Sequence, residues 1–119
     1  MIVIYHNPDS QDSNACIEIL ETSKHNHQVI KYQDKPLDEE KLEKIINLLK
    51  ISPIELIRTG EKLWVEKFKH LMESGIEFTN GELIDIMISH PELIERPIII
   101  NGEKAVIGKP PKKIFDILK

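Results

Sequence analysis

The sequence predicts an α/β domain on a mixed four-stranded sheet with a helical insertion. Two observations carry that expectation. A short β-branched run, a helical pattern and a second apolar run open the chain, in the order of a parallel βαβ unit. Near the other end, two apolar runs flank Asn101-Gly102, a strong hairpin signal, and a helical pattern closes the chain.

The elements follow in order. Ile2 to Tyr5 reads as a buried strand stopped by Asn7-Pro8. From Gln11 to Ser23, Ala15, Cys16, Ile19 and Leu20 share one helical face, with Ser10 suited to the N-cap. Val29 to Tyr32 is the second strand. Asp38 caps a helix over Glu39–Leu49 whose buried stripe is Leu42, Ile45, Ile46 and Leu49. Ser52-Pro53-Ile54-Glu55 and Thr79-Asn80-Gly81-Glu82 both have capping-box spacing, the first with proline at the opening helical position. The second precedes Leu83, Ile84, Ile86, Met87 and Ile88, and Pro91 ends that helix. Between them Trp64 and Phe68 stand at i and i+4, with Leu71, as core. Pro97–Ile100 and Lys104–Ile107 form two strands around the Asn101-Gly102 turn. Pro110 and Pro111 open a closing helix that carries Ile114, Phe115 and Leu118. This is the layout of the thioredoxin and glutaredoxin fold.

Composition narrows the function. The chain has 119 residues, without repeats or low-complexity linkers, and reads as one domain over residues 1–119. A formal net charge of -4 gives no general attraction to nucleic acid. No apolar run reaches the roughly 18–20 residues of a membrane span. One cysteine, Cys16, excludes an internal disulfide, and a reducing, cytoplasmic setting is expected. His25-Asn26-His27 lacks the acidic or thiol partners of a metal site and reads as a polar loop. Lys41, Lys44, Lys112 and Lys113 read as solvated charge.

Five segments carry a family resemblance: Tyr5-His6-Asn7-Pro8, Leu56-Ile57-Arg58-Thr59, Leu83-Ile84-Asp85 with His90-Pro91, Ile94-Glu95-Arg96-Pro97-Ile98, and Ile107-Gly108-Lys109-Pro110-Pro111. In this order they resemble arsenate reductases of the glutaredoxin-dependent ArsC family, which is related to Spx-type regulators. The resemblance implies a His-Asn-Pro-x-Cys turn whose thiolate attacks arsenate held by three arginines, with glutathione and glutaredoxin as co-substrates. Position by position, His6 matches the family histidine, Arg58 and Arg96 match two arginines, and Pro97 matches the cis-proline of the active site. Two positions depart. Ser10 stands where the family has its nucleophilic cysteine, and Lys109 stands for the third arginine, keeping charge but losing the bidentate fork.

Sulfur matters for the chemistry. Arsenate reduction moves two electrons through an arsenic–sulfur adduct, and a serine hydroxyl has no such redox ladder. Cys16 is six residues from position 10, about 9 Å along a helix and about 240° around it, so a core role is expected. The expectation is therefore an arsenate reductase-like protein without the family's reaction. The alternatives are an oxyanion- or thiol-ligand-binding module and an Spx-like regulatory or interaction protein. Asp9 and Asp12 suit the helix dipole; a sharper expectation pairs one of them with Arg58 or Arg96.

Overall fold

The computed structural model describes residues 1–32, 34–35 and 37–118. They cluster into two compact units, one formed by Met1–Pro36 with Arg96–Lys119 and the other by Leu37–Glu95.

The first unit holds the sheet. Strands β1 (Ile2–His6), β2 (His27–Lys31), β3 (Ile98–Asn101) and β4 (Lys104–Ile107) lie in the order β2-β1-β3-β4. β1 and β2 are parallel, whereas β1–β3 and β3–β4 are antiparallel, so the sheet is mixed as expected. Helix α1 (Gln11–Thr22) makes the crossover between β1 and β2. Alternation along the strands sends Ile2, Ile4 and Ile99 to one face, where Cys16 and Leu20 of α1 and Ile114 and Ile117 of the closing segment form a core.

Three details in this unit differ from the sequence expectation. β2 starts at His27, not Val29, and ends at Lys31. Its backbone pairs with all of β1, from Ile2↔His27 to His6↔Lys31, and a ladder at a sheet edge tolerates the polar His27 and Gln28. The hairpin turn is Gly102-Glu103, because Asn101 still pairs with Lys104. Gly102 takes φ 64°, which a side chain resists, while the Asn101 amide donates to the Ile117 carbonyl at 2.6 Å. The closing segment, Pro111–Ile117, is a 3₁₀ helix. Its three-residue period buries Ile114 and Ile117 and leaves Phe115 53% exposed.

The second unit is helical, with α2 (Glu39–Leu49), α3 (Lys62–Trp64), α4 (His70–Glu73) and α5 (Asn80–Ser89). Asp38 caps α2 by accepting the Lys41 amide at 2.7 Å, and Leu42, Ile45 and Ile46 are buried. Thr79 and Glu82 exchange both bonds of a capping box at the start of α5. Pro53–Leu56 is only one 3₁₀ turn, although Glu55 accepts the Ser52 amide at 2.7 Å. A π-helical turn, Val65–Lys69, joins α3 to α4. Trp64 is 2% exposed and its ring centroid lies 5.2 Å from that of Phe68, while Phe68 and Leu71 are half-buried. An antiparallel bridge, Ile57↔Ile94, ties the segment before α3 to the one after α5.

Candidate functional site

Register assembles one end of the sheet. Tyr5 lies opposite Ile98, and Ile98 opposite Ile107. His6, the last residue of β1, and Pro97 and Gly108, which flank β3 and β4, therefore lie at the same end of the sheet. Three of the segments that carry the family resemblance, and the start of α1, gather there. The Arg96–Pro97 and Lys109–Pro110 peptides are both cis.

The turn from β1 into α1 is held by its own polar groups. Asn7 Oδ1 accepts the Asp9 amide at 2.9 Å, and the Ser10 amide donates to the Asn7 carbonyl at 3.0 Å. Ser10 is the N-cap: its Oγ accepts the Ser13 amide at 3.2 Å. Ser13, fully buried, accepts the Asn7 amide at 3.4 Å, and the Asn14 side chain donates to the Pro8 carbonyl at 3.0 Å. His6 is 5% exposed, and its Nδ1 has no hydrogen-bond partner among the described residues. Burial, with Lys31 nearby, pushes the imidazole pKa below its usual value.

Gly108 links this end of the sheet to α1. Its amide donates to the Pro97 carbonyl at 2.8 Å, and its carbonyl lies 3.8 Å from Cys16 Sγ. A Cβ here would stand 2.6 Å from Cys16 Sγ and 2.9 Å from both Ile99 Cδ1 and Pro97 Cγ. Only glycine lets the Lys109 segment approach this closely. Cys16 is fully buried, and burial, helped by the Asp12 charge, pushes its pKa up to about 11. It belongs to the core, as the helix geometry predicts.

Arg58 lies in the second unit. Its backbone amide donates to the Leu93 carbonyl at 2.7 Å, next to the Ile57↔Ile94 bridge. Its Nη1 pairs with Glu61, its Nε lies 3.8 Å from Glu95 Oε1, and Nη1 also donates to the Glu92 carbonyl at 3.5 Å. The sequence offers Asp9 or Asp12 either to the helix dipole or to Arg58 or Arg96; for Arg58 the carboxylates are Glu61 and Glu95 instead. The i, i+3 spacing of Arg58 and Glu61 was the available signal. Gly108 was missed as a packing residue, although a glycine directly after an apolar strand hints at close approach.

The histidine pair expected in a polar loop is split between a loop and a strand. His25 Nδ1 meets Ser23 Oγ at 2.7 Å, and His27, the first residue of β2, has its Nδ1 2.8 Å from the His25 carbonyl. Among the described residues no three His, Cys, Asp or Glu side chains gather as a metal site, and no helix is long and apolar enough to cross a membrane.

A mixed β2-β1-β3-β4 sheet, a helix entered from the end of β1 and a cis-proline before β3 define a thioredoxin- and glutaredoxin-like α/β protein. The ArsC family profile matches residues 5–117, and the chain belongs to that family. It is 33% identical over 118 residues to an arsenate reductase of Haemophilus influenzae, with 98% of each chain covered. To an arsenate reductase of Acidiphilium multivorum it is 34% identical over 117 residues, covering 98% of this chain and 80% of that one. A solved arsenate reductase from Vibrio cholerae superposes with a TM-score of 0.88 at 32% identity, covering 98% of this chain and 97% of that one.

Proposed function

We propose that this arsenate reductase-like protein does not perform thiol-based arsenate reduction and instead binds a small oxyanion or a thiol ligand such as glutathione. The reading is carried by Ser10, at the nucleophile's position, whose hydroxyl accepts the Ser13 amide as the cap of α1. Helix N-terminal amides and the dipole still favour an anion there, but serine offers no sulfur for an arsenic adduct. Cys16 does not replace it: a buried thiol with a pKa near 11 has almost no thiolate at neutral pH.

In this reading Arg96 and Lys109 contribute positive charge and His6 lines the turn beside Pro97, all within the unit that holds the sheet. Lysine at position 109 binds an oxyanion as a point charge, so its grip is less oriented than a guanidinium's. Glutaredoxin and glutathione are co-substrates only of a thiol-bearing form, and the setting is the cytoplasm. No observation favours the Spx-like alternative in a redox-switched form, since the chain has a single cysteine.

The test is a glutaredoxin-coupled NADPH assay with arsenate, run on the native chain and on Ser10→Cys, with phosphate, arsenate and glutathione titrated by calorimetry. The native chain is expected to oxidise no NADPH above the protein-free rate and to bind at least one of these ligands. Ser10→Cys is expected to gain a thiol that is alkylated at neutral pH. Native turnover matching that of Ser10→Cys would refute the reading, as would binding of none of the three.

A further inference from the structure

Arg58 holds two carboxylates of its own chain. A guanidinium offers an oxyanion two forked edges, Nη1/Nη2 and Nε/Nη2. Glu61 takes Nη1 of the first edge, and Glu95 Oε1 stands 3.8 Å from Nε of the second. The Glu61 carboxylate sits on the Nη1 edge, so an anion approaching that fork meets repulsion first.

The two carboxylates are not equivalent. Glu95 has a side chain 21% exposed and a buried Oε1, and its backbone amide donates to the Leu56 carbonyl at 2.8 Å beside the Ile57↔Ile94 bridge. Glu61 is 37% exposed and follows the exposed Thr59-Gly60 turn, where a Cβ added to Gly60 would meet nothing within 4 Å. Glu61 is also the N-cap of α3, yet its side chain makes no capping bond. Its carboxylate can leave Arg58 without unpacking the core, and exposed pairs of this kind are weak.

We infer that Glu61 is a displaceable internal competitor that sets how tightly Arg58 takes an oxyanion. An incoming arsenate or phosphate replaces the Glu61 carboxylate at Nη1, while Glu95 and the Glu92 carbonyl keep the guanidinium oriented. Glu61 is thus an affinity-setting residue, and the ligand class is a tetrahedral oxyanion able to fork onto Nη1 and Nη2. This inference rests on the oxyanion-binding reading above.

The experiment titrates inorganic phosphate and arsenate by calorimetry into the native chain, Glu61→Gln, Arg58→Gln and the double variant. Glu61→Gln is expected to bind about three- to five-fold tighter. The gain is expected to vanish in the Arg58→Gln background, which a general change in surface charge would not produce. Glu61→Ala guards against an effect peculiar to glutamine and is expected to show the same gain. Native binding with unchanged or weaker affinity in both Glu61 variants overturns the inference and leaves the binding reading standing. A gain that persists without Arg58 also overturns it. Binding of phosphate and arsenate by none of the four proteins, with glutathione still bound, overturns the inference and the oxyanion half of the reading together.

Discussion

The thiol of Cys16 lies 3.8 Å from the carbonyl oxygen of Gly108, a contact between residues 92 positions apart that closes α1 onto the segment carrying Lys109. The same thiol lies 3.8 Å from the Pro111 carbonyl. At these distances the sulfur is chiefly a packing group, filling the space that the missing Cβ of residue 108 leaves open.

Gly108→Ala tests that packing. Its methyl group would overlap Cys16 Sγ, Ile99 Cδ1 and Pro97 Cγ, of which the last two belong to the sheet and its cis-proline entry. Overpacking of this kind costs about 1–3 kcal/mol. Urea denaturation is expected to show that loss, and adding Cys16→Ala is expected to recover part of it. An unchanged midpoint in Gly108→Ala would show that the loop shifts freely.

Cys16 gives a reactivity prediction and a stability prediction. At neutral pH its thiol is expected to resist a thiol-specific reagent in the folded protein and to react at once after denaturation. The folded pKa is raised to about 11 from a reference near 9.0, so the unfolded chain releases this proton first. The stabilisation linked to the protonated thiol is therefore intact below pH 9 and is lost as pH rises from 9 toward 11. Cys16→Ala is expected to have a flatter pH profile in that window, by thermal melting.

His6 acts at the acid side. Burial, then the Lys31 charge, lowers its folded pKa, so the unfolded chain takes up a proton that the folded chain resists. Stability is expected to fall as pH drops below about 6.5 toward the lowered folded value. His6→Gln is expected to remove that part of the slope. Direct titration of the imidazole by NMR that gave a pKa above 6.5 would contradict the buried, neutral state.

Lys50 ends α2 in the left-handed region, at φ 58° and ψ 42°. Its amide reaches back to the Ile46 and Asn47 carbonyls, so the conformation satisfies the helix end while straining a residue with a Cβ. Lys50→Gly is expected to stabilise the protein by about 0.5–1 kcal/mol. A lower melting temperature in that variant would show that the lysine side chain contributes more than its strain costs.

Local chemistry was legible without coordinates. Ser10, Asp38 and the Thr79–Glu82 box were readable as caps because a cap is a contact between residues three apart. The parallel and antiparallel strand pairs followed from element order and short connections. The hairpin turn falls one residue later than its Asn-Gly signal, because Asn101 stays in the ladder opposite Lys104 while its side chain bonds the Ile117 carbonyl. An α-helical period does not describe the closing segment, where a 3₁₀ helix buries Ile114 and Ile117 and leaves Phe115 53% exposed.

By itself the chain determined its fold class, its family and the absence of sulfur at position 10, because these depend on residue identity and order along the backbone. Tertiary structure alone decided that Cys16 is sealed against Gly108 and that Arg58 is met by Glu95. Burial and charge pairing are properties of space: a side chain's surroundings come from segments that the chain brings near only when it folds.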